Sequence, residues 1–477
     1  MSSAESAPLV FDLGCSNSRF GFAGEDLPRL SWPSRVGIGS TPDSIECPLS
    51  SHALIENFNV HPIFQEAEGC EDGSLSVAKE AVEALVKCAA SQLRSSGSGW
   101  GREERLTCPV LVTEPTRRNL FIRKGMAEVL FEKFQVSSGF FAKQAVLTSY
   151  AVARFKALVI ELGGKGVEVA PVVDGYVQQK NIRHARVGGE ILDEELGKLI
   201  RAYAEKEVDP FFACHRAVRV LDESNPGTSS KVVEDRRQDL SNVAGSYLDW
   251  AKADVVREIR EKVCRVAASP EEAASQMEEV KKRGGQVTEN SSAAANASSS
   301  SASAAPSHPP VAAAAAAAAA VKPDPGAGSA DRYVLPDGTE IETAPYVVSV
   351  YERLFDPSLM PSIEGFEGLP QMVVSAVSGV DSEIRRELLG ATVLTGGLAM
   401  APGMSNRIGR ELKKRPELGM GSGDRLRMVR FPRPEESICS AWIGGSIFAS
   451  LGSFREAAVT REEWEESGLK VLENKCP

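Results

Sequence analysis

Two short glycine turns, each preceded by an apolar run that ends in a carboxylate, are the segments of this chain best suited to chemistry. The first carboxylate is Asp12 and the second is Glu161, with Arg19 and Lys165 close behind them. Glycine lets backbone N–H groups approach a polyphosphate without a Cβ between them, and a strand-end carboxylate can hold a hydrated cation. One such turn alone is typical of an ordinary loop. Its repetition with the same polarity predicts the two halves of one phosphate cradle.

Length and charge limit the class of protein. The 477 residues, 42% of them hydrophobic, predict two or three domains with a sizeable core. A net charge of −11 argues against binding of nucleic acid through overall electrostatic attraction, so no direct sequence-specific nucleic-acid binding is expected. The nine cysteines include no C-x-x-C pair, which indicates reduced thiols of the cytosol or nucleus and no zinc site. Neither a signal peptide nor a membrane segment is predicted.

The elements that must position these residues follow an α/β pattern. Strand-like runs at 9–11, 110–112, 158–161, 167–173 and 392–394 alternate with amphipathic helical stretches at 116–134 and 188–205. Alanine, valine and leucine recur at helical spacing over 76–93, and Pro-Asp-Gly within 333–341 predicts a hairpin. Residues 284–330 are rich in serine, alanine and proline and are expected to form a disordered insertion.

With these elements in order, the chain resembles the actin family. The resemblance rests on ordered matches in segments of both halves: 21–26, 32–37, 109–114, 144–147, 174–176, 257–264, 354–358, 394–404 and 440–447. It implies an actin-like ATPase fold of the α/β class, with two lobes, each with a related βαβ-containing sheet. ATP or ADP, with Mg or Ca, would occupy the cleft between the lobes.

The resemblance also implies domain boundaries. The small lobe would span 1–153, with a variable subdomain at about 37–106. The large lobe would span 154–477 and carry the insertion at about 284–330. The segment from about 430 to 477 would pack back on the small lobe.

Through the resemblance, four groups of residues are expected to contact the nucleotide. They are Asp12, Gly14, Cys15, Ser16, Asn17 and Arg19 in the first loop; Glu161, Gly163, Gly164 and Lys165 in the second; Gly189, Arg257, Arg260 and Glu261 around the nucleoside; and Gly396, Gly397 and Leu398 in the third loop. Asp12 would also hold the metal through water.

Some residues depart from the actin pattern, and these departures affect the expected binding and hydrolysis of ATP. Lys165 replaces a glycine, and could either pair with phosphate or push its loop away; Ile438 stands where actin has a lysine against adenine. Gln144 matches the residue that orients the attacking water, but Glu168 stands at the histidine that deprotonates it. A carboxylate there repels an already anionic transition state, so we expect ATP binding with weak or absent hydrolysis. The alternative is that both hairpins hold no nucleotide.

Short stretches at 24–26, 140–141, 174–179 and 473–477 are most similar to the class four nuclear actin-related proteins. That resemblance implies a non-filament-forming scaffold subunit of nuclear chromatin-remodelling or histone-acetyltransferase complexes. It would sit with actin on a long helix of a remodelling motor or scaffold protein, and the acidic balance makes basic histones a further candidate partner.

Two alternatives remain open. One is an active ATPase of the same fold, such as a sugar kinase or chaperone relative, against which the missing catalytic base and sugar site argue. The other is a cytoplasmic actin-like ATP-binding scaffold or slow ATPase not tied to chromatin. Lys281-Lys282-Arg283 is too short a basic cluster to decide between nucleus and cytoplasm.

Overall fold

The computed structural model describes residues 7–41, 44–67, 74–94, 106, 108–214, 218–220, 231–233, 239–278, 332–344, 346–420 and 425–476. The predicted insertion at 284–330 and the basic cluster at 281–283 lie outside these residues. Within the described ranges, no helix has the length and apolar content needed to cross a membrane.

The strands are β1 (Leu9–Leu13), β2 (Asn17–Phe22), β3 (Leu30–Pro33), β4 (Arg35–Ile38), β5 (Ile45–Glu46), β6 (Asn59–Pro62), β7 (Phe64–Glu66), β8 (Leu75–Val77), β9 (Val110–Glu114), β10 (Ser138–Lys143), β11 (Ala157–Leu162), β12 (Val167–Val173), β13 (Tyr176–Val177), β14 (Arg183–Ala185), β15 (Val218–Val220), β16 (Lys231–Val233), β17 (Arg332–Val334), β18 (Glu340–Glu342), β19 (Thr392–Thr395), β20 (Met428–Val429) and β21 (Val459–Thr460).

The α-helices are α1 (Lys79–Arg94), α2 (Leu120–Ala127), α3 (Gln144–Ala151), α4 (Gly189–Ala204), α5 (Gly245–Val263), α6 (Ser349–Glu352), α7 (Leu369–Ser378), α8 (Ser382–Leu389), α9 (Met404–Lys413), α10 (Pro434–Ile438), α11 (Ser440–Ala449), α12 (Phe454–Ala457), α13 (Arg461–Ser467) and α14 (Leu469–Lys475).

Two sheets of the same plan organise the chain. In the first, with strand order β21-β10-β9-β1-β2-β3, β1 pairs antiparallel with β2 and parallel with β9. In the second, β11 pairs antiparallel with β12 and parallel with β19, while β20 continues the parallel side. An antiparallel hairpin followed by parallel crossovers therefore occurs in both sheets, as the resemblance implied. We call the parts built on the first and second sheets the small and large lobes.

Each sheet has its own apolar core, because its strands are buried on both faces. The first core joins the small-lobe sheet to helices α1 and α2 and to the C-terminal residues Trp442, Phe454 and Cys476. The Nε1 of Trp442 donates to the carbonyl oxygen of Val10 at 3.1 Å, and β21 extends the edge of the first sheet. The last part of the chain thus packs on the small lobe, while the boundary at 153/154 stays a prediction.

The two lobes meet where α3 crosses α11. A Cβ on Gly444 would lie 1.8 Å from the carbonyl oxygen of Leu147, so the two helix backbones are in direct contact there. A further apolar cluster connects Ala145 of α3 to Val159 and Val393 in the second sheet. The cleft described below opens from this crossing.

The predicted strands and the hairpin at 333–341 are confirmed, since β17 and β18 pair antiparallel. The helix predicted over 116–134 begins later, at Leu120, because the side chain of Asn119 accepts the N–H of Ile122 and caps it. Its last part, Glu128–Lys133, is π-helical. The helix predicted over 76–93 begins at Lys79, because 75–77 form β8 and pair with β7.

Candidate nucleotide cleft

A cavity of about 1160 Å³ lies between the two lobes, at the ends of both hairpins. Nearly all the residues predicted to contact a nucleotide line it: Asp12, Gly14, Cys15, Ser16, Asn17, Arg19, Glu161, Gly163, Gly164, Gly189, Arg257, Arg260, Glu261, Gly396, Gly397 and Leu398. Gln144 and Ile438 line it as well, whereas Lys165 and Glu168 do not. The two strand ends predicted to face each other therefore share one cleft.

Glycines allow the loops to approach so closely. A Cβ on Gly164 would lie 2.0 Å from Ser16 Oγ across the cleft, so the two hairpin turns touch. Gly396 has φ +95°, a conformation that favours glycine, and its Cβ would lie 2.4 Å from the carbonyl oxygen of Leu162. A Cβ on Gly397 would meet nothing within 4 Å, because that position faces the open cavity.

An ion pair occupies the base of the first hairpin. Asp12 and Arg19 are directly opposite each other on β1 and β2, and Arg19 Nη1 donates to Asp12 Oδ2 at 2.9 Å. Asp12 Oδ1 accepts from Thr113 Oγ1 at 2.7 Å and from Gln144 Nε2 at 3.4 Å. The charge of Arg19 is therefore already balanced by Asp12, although Arg19 Nε is buried without a hydrogen-bond partner.

The same network bears on the predicted metal. Both oxygens of Asp12 accept protein hydrogen bonds, so a water-bound ion would have to share them. Within the ranges that the structure covers, no group of three or more His, Cys, Asp or Glu side chains is arranged to hold a metal ion. The donor set thus fits a water-mediated cation held mainly by phosphate rather than one held directly by protein.

The second hairpin carries two acids where the first carries an ion pair. Glu161 is directly opposite Glu168 across β11 and β12. Burial raises the pKa of Glu161 to about 8, and the negative charges of Glu168 and Asp12 add to the shift. Burial also raises the pKa of Glu168, opposed by hydrogen bonds from the Thr116 side chain and the Arg117 backbone. At neutral pH Glu161 is therefore largely protonated and adds little repulsion toward an anion.

Stability should consequently depend on pH through Glu161. Its ordinary pKa is 4.5 and its folded pKa is about 8, so between these values the folded state holds the extra proton. Stability therefore falls as pH rises through this window, by up to about 1.4 kcal/mol per pH unit. We expect Glu161→Gln to flatten this dependence and to raise the unfolding temperature at pH 8. Thermal unfolding between pH 5.5 and 8.5 measures both effects.

The control for that experiment is Glu465→Gln, which changes an exposed carboxylate paired with Arg461 on α13. The stability of this variant should depend on pH as steeply as that of the parent protein. If the unfolding temperatures of Glu161→Gln and the parent changed equally with pH, the assignment of the proton to Glu161 would be contradicted.

Lys165 does not displace its loop. The N–H of Gly163 still donates to the carbonyl oxygen of Gly166 at 2.9 Å, and Gly164 remains in contact with Ser16. The charge of Lys165 acts on the first loop, where it lowers the pKa of Cys15 against a larger opposite effect of burial. Among the contacts within the described residues, its ammonium has no ion pair. Contact between Lys165 and a nucleotide phosphate stays a prediction, because Lys165 does not itself line the cavity.

At the other end of the cleft the arginines are paired with acids. Arg260 Nε donates to Asp193 Oδ1 at 2.6 Å, and Arg260 Nη1 donates to the Tyr351 hydroxyl at 3.1 Å. Arg257 donates to Asp254, and Glu261 is largely exposed. Asp193 was missed by the sequence analysis, although it lies one helical turn after Gly189 on α4 and thus on the same face.

Further contacts join the lobes beside the cleft, and we call them the clasp (residues 49–60 against 211–212 and 240–254). Leu49 packs with Phe212, Tyr247 and Trp250 in one apolar cluster. The Tyr247 hydroxyl lies 2.5 Å from the carbonyl oxygens of both Ser50 and Ala53.

Polar and aromatic contacts extend the clasp on both sides. Ser51 Oγ donates to Asp254, and the ring of His52 stacks on Phe211 with centroids 4.6 Å apart. Because Trp250 and Asp254 also line the cavity, the clasp adjoins it. No local pattern in the sequence indicated it.

The two positions expected to act in ATP hydrolysis, Gln144 and Glu168, differ in their access to the cavity. Gln144 lines the cavity beside Asp12, whereas Glu168 is held away from it by Thr116 and Arg117. No histidine lines the cavity in the part of the chain that the structure describes. Among the described residues, Gln144 lines the cavity where it can orient a water, whereas neither Glu168 nor a histidine lines it to accept the proton.

Comparison with known proteins agrees with this geometry. A family model described as Actin matches residues 3–477. A curated protein named Actin-related protein 4 from Oryza sativa subsp. japonica is 29% identical over 503 residues, with 99% of each chain covered. Proteins of the same name from Arabidopsis thaliana and Yarrowia lipolytica are 27% and 24% identical, with 99% of this chain covered in both cases and 99% and 96% of theirs.

Proposed function

The chain belongs to the actin family, and on this basis we propose that it is a nuclear, non-filament-forming scaffold subunit that holds an adenine nucleotide structurally. The complexes in question would be chromatin-remodelling or histone-acetyltransferase assemblies. The proposal extends the similarity to proteins named Actin-related protein 4, whose names state only that they are actin-related.

Nucleotide binding is supported by the convergence of three glycine loops on one cavity. Their backbone N–H groups would contact phosphate oxygens, and Lys165, which follows the lining residue Gly164, would add positive charge. Leu398 and Ile438 would supply apolar surface for a base. The open space at Gly397 and the unpartnered Nε of Arg19 are features that a bound group would fill. When bound, the nucleotide would supply contacts to both lobes and thereby fix their relative position.

Weak or absent hydrolysis follows from the positions of Gln144 and Glu168. Gln144 can orient a water, but the Glu168 carboxyl is hydrogen-bonded to Thr116 and Arg117 and does not line the cavity. We therefore expect purified protein to release phosphate much more slowly than filament actin. Release at the rate of filament actin would contradict this part of the proposal.

The Gly397→Val variant tests the nucleotide site. Its branched side chain would extend into the open cavity, so we expect nucleotide affinity to fall at least about tenfold by steric exclusion while folding is retained. Gly452→Val is the matched control, because Gly452 also has nothing within 4 Å but lies outside the cavity lining. The measurement is binding of a fluorescent ATP analogue, together with chromatography of nucleotide released from denatured protein.

Equal binding by the parent and Gly397→Val would place the nucleotide elsewhere. If the parent, Gly397→Val and Gly452→Val all lacked nucleotide, the result would favour the alternative in which the hairpins hold no nucleotide. The same parent sample, after ATP loading, should lose its nucleotide slowly because the clasp holds the two lobes together beside the cleft.

A partner site is supported by exposed apolar side chains on either side of Tyr150, beside the lobe crossing: Phe155, Tyr176, Ile447 and Leu451. We propose that this surface is a groove for a partner. Phe155 and Tyr176 are 69% and 62% exposed, and Ile447 and Leu451 are 44% and 50% exposed. The ring of Tyr150 lies 6.1 Å from Phe155 and connects the two sides. Exposed apolar surface of this kind suits the apolar face of an amphipathic helix, as expected for a motor or scaffold protein that also binds actin.

The Leu451→Asp variant tests the groove. A carboxylate on this surface should weaken capture of partner proteins at least tenfold without unfolding the chain, because Leu451 is half exposed. Val334→Asp on β17 is the matched control, since Val334 is similarly exposed but distant from the groove. Affinity purification from cells, followed by mass spectrometry, measures the loss.

The identity of the captured proteins separates the two candidate functions. Recovery of remodelling ATPases, acetyltransferase subunits and actin with the parent and Val334→Asp, but not with Leu451→Asp, would support the nuclear scaffold. Recovery of cytoskeletal partners only would instead support a cytoplasmic actin-like scaffold.

A further inference from the structure

Arg35 is a cation beside the glycine loops that the sequence analysis did not single out. It is the first residue of strand β4, and it lines the cavity. The preceding residue, Ser34, is attached to the first loop: its N–H donates to the carbonyl oxygen of Ser16 at 2.9 Å, and its hydroxyl donates to the carbonyl oxygen of Gly14 at 2.5 Å. The backbone of Arg35 is therefore fixed next to the first loop.

The side chain of Arg35 connects this position to the second loop. Its Nη2 donates to Glu190 Oε1 at 3.4 Å. Glu190 is in the first turn of α4, and its own N–H donates to the carbonyl oxygen of Gly164 at 2.8 Å. The guanidinium of Arg35 thus lies close to both loops that are predicted to hold phosphate.

The ion pair of Arg35 with Glu190 can be exchanged at low cost. A distance of 3.4 Å is long for a hydrogen bond, whereas the nitrogens of Arg19 and Arg260 lie 2.9 and 2.6 Å from their acids. The side chains of Arg35 and Glu190 are 26% and 34% exposed, so water can replace either partner. The carboxylate of Glu190 is also stabilised by the N-terminus of the 16-residue helix α4.

The other cations at the two loops are less well placed to meet an anion. The charge of Arg19 is balanced by Asp12 at the base of the first hairpin, and Lys165 does not line the cavity. Arg35 lines the cavity and has a weak, half-exposed partner. A planar guanidinium can donate two N–H groups to one phosphate, whose charge exceeds that of a carboxylate.

We propose that Arg35 binds the phosphate tail of the nucleotide and leaves Glu190 when it does so. This inference rests on the proposed nucleotide site and adds to it a residue that selects for phosphate charge. Glu190 then competes with the nucleotide for Arg35. Removing Arg35 and removing the charge of Glu190 should therefore change ATP affinity in opposite directions.

The Arg35→Met and Glu190→Gln variants test this inference through ATP affinity, measured by isothermal titration calorimetry on nucleotide-free, full-length protein. Arg35→Met keeps the apolar stem of the side chain but loses its charge, so affinity should fall at least about tenfold. Glu190→Gln frees Arg35, so affinity should rise about threefold. In the double variant this gain should disappear, because the gain depends on Arg35.

Arg201→Met is the matched control. Arg201 also lines the cavity and has a long ion pair, 3.6 Å to Glu207, but it lies about 17 Å from Glu190 along α4. Its substitution should change ATP affinity less than about twofold. Thermal unfolding without nucleotide checks that each variant is folded.

Two results would overturn the assignment of Arg35. Equal losses of affinity in Arg35→Met and Glu190→Gln would mean that the pair only holds the lobes together. Unchanged affinity in Arg35→Met, with ATP bound by the parent, would exclude Arg35 from the phosphate contacts and leave the proposed nucleotide site intact. A parent protein that binds no ATP would instead overturn the proposed site and this inference together.

Discussion

The Asp12→Ala variant is expected to lose about 3–5 kcal/mol of stability, because it leaves the buried guanidinium of Arg19 without its counter-charge. Asp12 and Arg19 are 2% and 9% exposed, and the carboxylate also accepts hydrogen bonds from Thr113 and Gln144. Denaturant unfolding of the parent and variant measures the loss. Glu465→Ala, which breaks an exposed pair on α13, should cost less than about 1 kcal/mol and serves as the control.

A double variant separates the charge from the packing. Asp12→Ala combined with Arg19→Met removes the unpaired cation together with its partner, so much of the lost stability should return. A double variant no more stable than Asp12→Ala would show that the loss comes from Thr113 and Gln144 rather than from the buried charge.

The same double variant bears on nucleotide binding. If Arg19 contacts phosphate, as the resemblance implies, the restabilised protein should still bind ATP at least tenfold more weakly than the parent. Unchanged affinity would assign Arg19 to the base of the hairpin alone, with the phosphate charge balanced by Lys165 and backbone N–H groups.

The second large effect is expected for Gly444→Ala, with a loss of about 3 kcal/mol or more. The added methyl group would lie 1.8 Å from the carbonyl oxygen of Leu147 and 2.8 Å from its Cα. These are backbone atoms, so relief requires helices α3 and α11 to move apart, which would also shift the packing of α3 on the second sheet. Thermal unfolding measures the loss in stability, and small-angle X-ray scattering would report any change in the separation of the lobes.

Gly452→Ala is the control for this substitution. Gly452 follows α11, and a Cβ there would have nothing within 4 Å. Its unfolding temperature should stay close to that of the parent. A Gly444→Ala protein with parent-like stability would mean that the helix crossing can relax and does not set the position of the lobes.

Much of the cleft could be predicted from local sequence. Leu9–Asp12 and Leu158–Glu161 read as strands, and the glycine turns that follow them read as phosphate loops, because strand pattern and glycine placement are local properties. The equal spacing of Asp12 to Arg19 and of Glu161 to Glu168 also specifies the cross-strand pairs, since a tight hairpin fixes its register. The cross-strand partnering of Arg19 with Asp12 therefore follows from the sequence, whereas the raised pKa of Glu161 depends first on its burial in the tertiary structure.

The sequence alone thus determined the two hairpins, their carboxylates, the α/β class and the actin-family resemblance, because each depends on short periodic or motif-like segments. The tertiary structure decided the rest: the pairing of Arg260 with Asp193 and Tyr351, the clasp of Tyr247 against Ser50 and Ala53, and the meeting of Gly444 with Leu147. These contacts join residues far apart along the chain. Which distant side chains meet depends on how the two lobes pack, and no local periodicity of the chain encodes that choice.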